Sequence, residues 1–150
     1  MSKLFYPSEL RQHKWIGIFV IYLHYLLGVA FVFSAISKIE GHRFTTADGA
    51  NSPIDSGSHY FETMYRSGLY WIALGWAQLL AGLVLMSQKL ATLGAVMILP
   101  ISVNIFLITL TYHFPGTVYI TFLILIANLF LLYWDLPGLY NAFKPDSMRP

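Results

Sequence analysis

The 150-residue chain contains no cysteine, and only 11% of its residues are charged. The missing thiols exclude disulfide staples, thiolate metal sites and the paired-cysteine relays of membrane thiol oxidoreductases, so any redox role must use a bound cofactor or a partner's. Charge is also unevenly placed. No Asp, Glu, Lys or Arg lies between Lys14 and Lys38, between Arg66 and Lys89, or between Lys89 and Asp135. Soluble domains are about one-quarter charged and need polar faces to cover a core. This chain, 57% hydrophobic, has too few polar residues for that.

What fills the uncharged stretches is apolar almost throughout, as in LLAGLVLM, IFLITL and TFLILIANLFLLYW. The period-two alternation of a membrane β-barrel is missing from these runs. The turn sequence His113 to Thr117 divides the last stretch, leaving four runs at about 16–39, 69–86, 90–112 and 118–134. Each is long enough to cross about 30 Å of hydrocarbon as a helix. The expected fold class is therefore all-α: a single-domain polytopic membrane protein, an antiparallel four-transmembrane-helix bundle with its backbone groups satisfied within helices. The first run is too long for a signal-peptide core, with Lys38 where a cleavage site would fall, and is expected to remain as a span.

Basic residues favour both termini inside: Lys3, Arg11 and Lys14 precede the first span, Lys89 lies in the second connection, and Lys144 and Arg149 follow the last span. The first connection, about 40–67, would be extracytoplasmic, and its middle, TTADGANSPIDSGS, is polar and turn-rich. In the following stretch Phe61, Met64, Tyr65 and Gly68 fall at helical spacing, and Glu62 precedes Arg66 by one turn. A short helix there could lie on the membrane or prolong the second span. Tyr70, Trp71, Tyr112 and Tyr119 are expected in an outer aromatic belt. After the last span, Asp135 can cap a brief interfacial helix carrying Leu136, Leu139, Tyr140 and Phe143 on one stripe, with Lys144 reaching headgroups.

Polar residues within spans are costly in lipid and should face neighbouring helices or a wet cavity. At helical spacing His24, Gly28, Phe31, Ala35 and Lys38 share one face of the first span, with Ser34 at its edge, and Gly68, Gly75, Gln78 and Gly82 share one of the second. Gly94, Met97, Ile101, Asn104 and Thr111 align on the third, and Thr117, Thr121, Asn128 and Asp135 on the fourth. Small residues on such seams allow close helix approach. By depth, Gln78 falls near the middle, Asn104 toward the outer side, and His24 and Asn128 toward the inner side. Such groups can bond across helices as glue or line a ligand cavity. Lys38, at the outer end of its helix, either snorkels outward or turns into the bundle to offer a cation to an anionic or carbonyl-bearing ligand. Pro100 should kink the third span.

Several chemistries find no support. A haem bridged between helices needs two histidines at similar depth, and His24 is the only deep one. The spans lack the inward carboxylates of helical metal sites, and no phosphate loop, nucleophile motif or zinc signature occurs. A net charge of +2 without a basic cluster gives no footprint for nucleic acid.

The segments FVFSAISKIEG, GWAQLLAGLVLM and KLATLGAVMILPISVNIFLITLTYHFPG resemble, in order and spacing, the bacterial DoxX-like membrane proteins, over about residues 29–135. The resemblance implies a four-helix bundle in a bacterial cytoplasmic membrane and an association with quinone-linked redox systems. Lys38 matches the family's first-helix lysine, whereas Gln78 stands where many members carry Glu, which argues against proton-coupled chemistry at that position. The resulting expectation is a non-catalytic or accessory subunit of a quinone-linked oxidoreductase that binds a quinone or lipid through His24, Lys38, Gln78, Asn104 and Asn128. Its partners would be the bilayer and either redox-complex subunits or further copies of the chain. The alternative is a structural interaction protein whose polar seams serve packing and whose long loop docks a partner.

Overall fold

Apolar runs that long have one stable backbone solution in hydrocarbon, and the computed structural model, which describes residues 13–44 and 49–143 and the side chains of these as far as 139, adopts it. In chain order come α1 (Lys14–Ile39), a single 3-10 turn (Gly49–Asn51), α2 (Gly57–Arg66), α3 (Leu69–Met86), α4 (Ala91–Thr111) and α5 (Thr117–Phe143). No strand occurs among the described residues. Four of the helices, α1, α3, α4 and α5, are long and apolar enough to cross a membrane. They carry Phe33, Leu80, Leu83, Leu107, Ile120 and Leu123 exposed on their outer surfaces. In water such a surface would drive association; in a bilayer it is the solvated face. The chain is a multi-pass membrane protein built as a four-helix bundle.

Small residues set the helix contacts. α1 packs most extensively on α3, where a methyl group added to Gly28 would lie 2.9 Å from the Gly82 carbonyl oxygen and one added to Gly82 equally close to that of Gly28. Farther along, Gly75 faces Ala35 and the stem of Lys38. Gly94 of α4 lies directly on the Leu85 backbone of α3, and α4 in turn packs on α5. The remaining interface, α1 with α5, is the smallest of the four, with Phe19 against Phe130 across it at 6.2 Å. Leu23, Leu27, Leu85, Ala95, Ile98 and Leu131 form a core at the end holding the tight α3–α4 turn, called here the base. The opposite end is covered by α2 and is called the cap.

Three expectations need correction. The segment after Trp134 is helical, but it continues the last span as one helix through Pro137, with no separate interfacial helix. Asp135 lies within this helix, and its carboxylate accepts a hydrogen bond from Thr92 Oγ1 of α4 at 2.8 Å, tying the span to its neighbour. The stripe residues Tyr140 and Phe143, and Lys144, have side chains outside the described residues, as do Lys3, Arg11 and Arg149. Second, Trp71 is buried under the cap, its Nε1 donating to the His42 carbonyl at 3.2 Å, while Tyr70 and Tyr119 are exposed. Third, α4 buries Ser102 and Thr109 in place of Asn104 and Thr111.

Candidate functional site

The polar side chains of the spans divide into two groups with different surroundings. At the base, His24 is 4% exposed and neither ring nitrogen has a hydrogen-bond partner among the described residues. Asn128 is fully buried against the α4 turn that precedes Pro100. Proline removes a backbone donor and disturbs the preceding turn. Oriented to satisfy both ends of its amide, Asn128 donates Nδ2–H to the Ala95 carbonyl at 3.2 Å and accepts the Leu99 amide at 3.1 Å. It repairs the disturbed turn of α4 from α5. These two sequence-predicted residues belong to the packed core.

Toward the cap the four spans separate around a cavity of about 460 Å³. Lys38, Gln78 and Asn104 line it together with Ser34, so the structure brings these three candidates to one place and leaves His24 and Asn128 outside it. The walls are otherwise apolar: Phe31 from α1, Leu74 from α3, Ile101, Ile105 and Ile108 from α4, and Ile120 and Ile124 from α5. Thr109 Oγ1 and Thr121 Oγ1, 2.7 Å apart, join α4 to α5 at its edge.

Lys38 turns inward. Its side chain is pinned at the stem by Gly75, and the ammonium donates to Ser34 Oγ at 2.7 Å and to the Ser34 carbonyl at 3.1 Å. It also lies 5.2 Å from the centre of the Trp71 ring, within cation–π range. Ser34, having accepted from Lys38, directs its hydroxyl toward Gln78 Oε1 at 3.5 Å. The Gln78 NH₂ group has no hydrogen-bond partner among the described residues, and Gln78 lines the cavity. The Asn104 side chain makes no hydrogen bond among the described residues. The arrangement is a short row of N–H donors set in an apolar chamber, a common design for holding the oxygen-bearing head of an otherwise apolar ligand.

The loop is exposed at residues 40–44, 50, 51 and 53–55, as the sequence leads one to expect, and α2 is a separate helix that does not continue the second span. α2 starts at Ser56, whose Oγ accepts the His59 amide at 3.2 Å, and is separated from α3 by Gly68, whose φ of 60° is a left-handed conformation that breaks the helix. Its apolar stripe faces down. Phe61 stacks on Phe44 at 4.5 Å and meets Phe114 at 5.7 Å, and Phe44, Phe61 and Met64 roof the cavity. Glu62, 3% exposed, holds the arrangement by pairing with Arg66 at 2.8 Å and Arg43 at 3.4 Å. Gly49 of the 3-10 turn is buried against Ser58 and Glu62, and its carbonyl meets His59 Nδ1 at 3.2 Å. The helical spacing of Phe61, Met64 and Tyr65 signalled the helix; nothing in the sequence named its target. Among the described residues no three metal-ligating side chains come together.

No protein-family model, curated protein or solved structure matches the chain.

Proposed function

We propose that the protein is a non-catalytic ligand-binding subunit of the membrane, holding a quinone-like or lipid-like amphiphile between its helices with the head against Lys38, Ser34, Gln78 and Asn104. The carrying observation is the capped chamber of about 460 Å³, apolar but for a cluster of donors at one side. Its size falls within the range of about 300 to 1,000 Å³ typical of small-molecule sites. A purely structural role for the polar seams would leave no such chamber, although cross-helix bonding does account for Asn128. The resemblance to DoxX-like proteins supports placing the chain in a bacterial cytoplasmic membrane and linking the ligand to quinone-based redox metabolism. Positive charge at the flanks supports cytoplasmic termini, with the cap then facing outward. Catalysis by this chain alone would require an electron carrier that its residues do not supply.

Native mass spectrometry after gentle extraction tests the proposal. The wild-type protein should retain a quinone or lipid, and a Gln78→Leu/Asn104→Leu variant should release it while eluting as the same folded species. Unchanged retention in that variant would discard this site.

A further inference from the structure

The site as proposed admits any amphiphile with acceptor oxygens on its head, and charge narrows the choice. Lys38 is 7% exposed. Among the described residues no carboxylate lies within ion-pair reach of its Nζ: Glu62 pairs with Arg43 and Arg66, and Glu40 with His42 at 3.3 Å. Its neighbours Ser34 and Trp71 provide a hydroxyl, a carbonyl and an aromatic face, none of which carries a formal negative charge. An ammonium has three N–H donors, and Ser34 takes two. The third has no acceptor among the described residues, and Lys38 and Gln78 both line the chamber.

Burying a cation away from water is costly unless an opposite charge accompanies it. A neutral carbonyl can accept the third N–H, yet leaves the charge uncompensated. An acid group does both. We infer, resting on the ligand-binding reading above, that the occupant is an acidic amphiphile whose carboxylate or phosphate pairs with Lys38 and whose tail lies along the isoleucine-lined wall. Ala30 of α1 and Ile120 of α5 both line the chamber and are both exposed, so it opens between these two helices, at the smallest interface of the bundle. In a bilayer that opening faces acyl chains, the source from which such a molecule arrives.

Trp71, against the Lys38 ammonium, is a built-in reporter. With the other three tryptophans replaced (Trp15→Phe, Trp76→Phe, Trp134→Phe) and the protein in phosphatidylcholine nanodiscs, quenching of Trp71 is titrated with stearic acid dibrominated near its carboxyl end. The methyl ester of the same acid, a dibrominated phosphatidic acid and a brominated short-chain benzoquinone are run beside it. The acid should quench saturably and bind about thirtyfold or more tighter than its ester, the expected size for a desolvated charge pair. Lys38→Met should reduce the acid to the ester's affinity, and Lys38→Arg should retain part of the preference. Stronger binding of the phosphatidic acid than of the fatty acid assigns the acid group to a phospholipid. Equal binding of acid and ester, unchanged by Lys38→Met, overturns the acidic head while leaving a ligand site in place. Failure of all four probes to quench saturably removes the ligand site itself.

Discussion

The two ends of the bundle use similar residues for opposite ends. At the base, a scattered polar side chain is enclosed: Asn128 spends both ends of its amide on the Ala95 and Leu99 backbone, inside a core of Leu23, Leu85, Ile98 and Leu131. Toward the cap, Gln78 and Asn104 have amide donors with no partner among the described residues, and both line the chamber. Helix propensity and hydropathy barely separate the two regions. What separates them is helix spacing. Glycine contacts at Gly28–Gly82 and Gly94–Leu85 draw the base together, while residues of all four spans line a chamber toward the cap. An amide in lipid is thus glue or ligand contact according to whether a neighbouring backbone is close enough to take it.

The contrast breaks most severely at Gly94, where an added methyl group would collide with the backbone of Leu85, which no side-chain rotation can relieve. Gly94→Leu is expected to cost about 3 kcal/mol or more, near the upper end for overpacking. The folded species should disappear from detergent size-exclusion profiles. Gly17, with open space around its Cα, is the control: Gly17→Leu should elute like the wild type.

Next in size is the pair Asn128→Leu and Asn104→Leu, the same change made at the two ends. At Asn128 it strips both partners from the turn before Pro100 and should cost about 1 to 2 kcal/mol in unfolding assays. In a Pro100→Ala background α4 can close that turn itself, so the cost of Asn128→Leu should shrink. At Asn104, which is exposed and unbonded, stability should stay within about 0.5 kcal/mol. Equal losses at the two positions would erase the distinction between the ends.

Much of this was legible before any coordinates. The α1 face His24, Gly28, Phe31, Ala35 and Lys38 is buried in full, because a straight helix without interior proline keeps its register. Gly75, Gln78 and Gly82 follow on α3. α4 was harder. Its Pro100 lies inside the periodic stretch, and its buried hydroxyls Ser102 and Thr109 bond to their own helix, to Leu99 and Phe106, and so resemble ordinary helix residues. Around Pro137 the sequence favours a new helix capped by Asp135, whereas in the structure the helix runs on and Asp135 accepts a bond from Thr92, distant in sequence. The roof over the chamber depends likewise on contacts from Phe44, Phe61 and Phe114, which local periodicity does not encode.

The cap itself can be loosened without touching the spans. Glu62 is almost fully buried, whereas Arg43 and Arg66 keep side-chain exposures of 45% and 61%, so water takes up much of what the arginines would lose. Glu62→Gln should therefore destabilise α2 locally, by about 1 kcal/mol, with little effect on global unfolding. Hydrogen exchange across residues 57–66 should accelerate several-fold while α3 and α5 remain protected. Equal acceleration in the spans would mean that the cap and the bundle open as one unit.

The smallest effect is a pH dependence confined to the cap. Tyr60 packs its ring against Tyr112 at 5.3 Å, and burial, reinforced by Tyr70 and Tyr112, raises its phenol above the ordinary tyrosine value. The neutral form is the one the folded cap prefers, so the associated stability is fully present below about pH 10 and is lost as pH rises through the higher folded value. Alkaline titration should show a late-ionising phenol component that vanishes in Tyr60→Phe. Exchange in α2 should rise over the same alkaline interval in the wild type but not in Tyr60→Phe. Because the base core contains no tyrosine, its protection should not change over that interval.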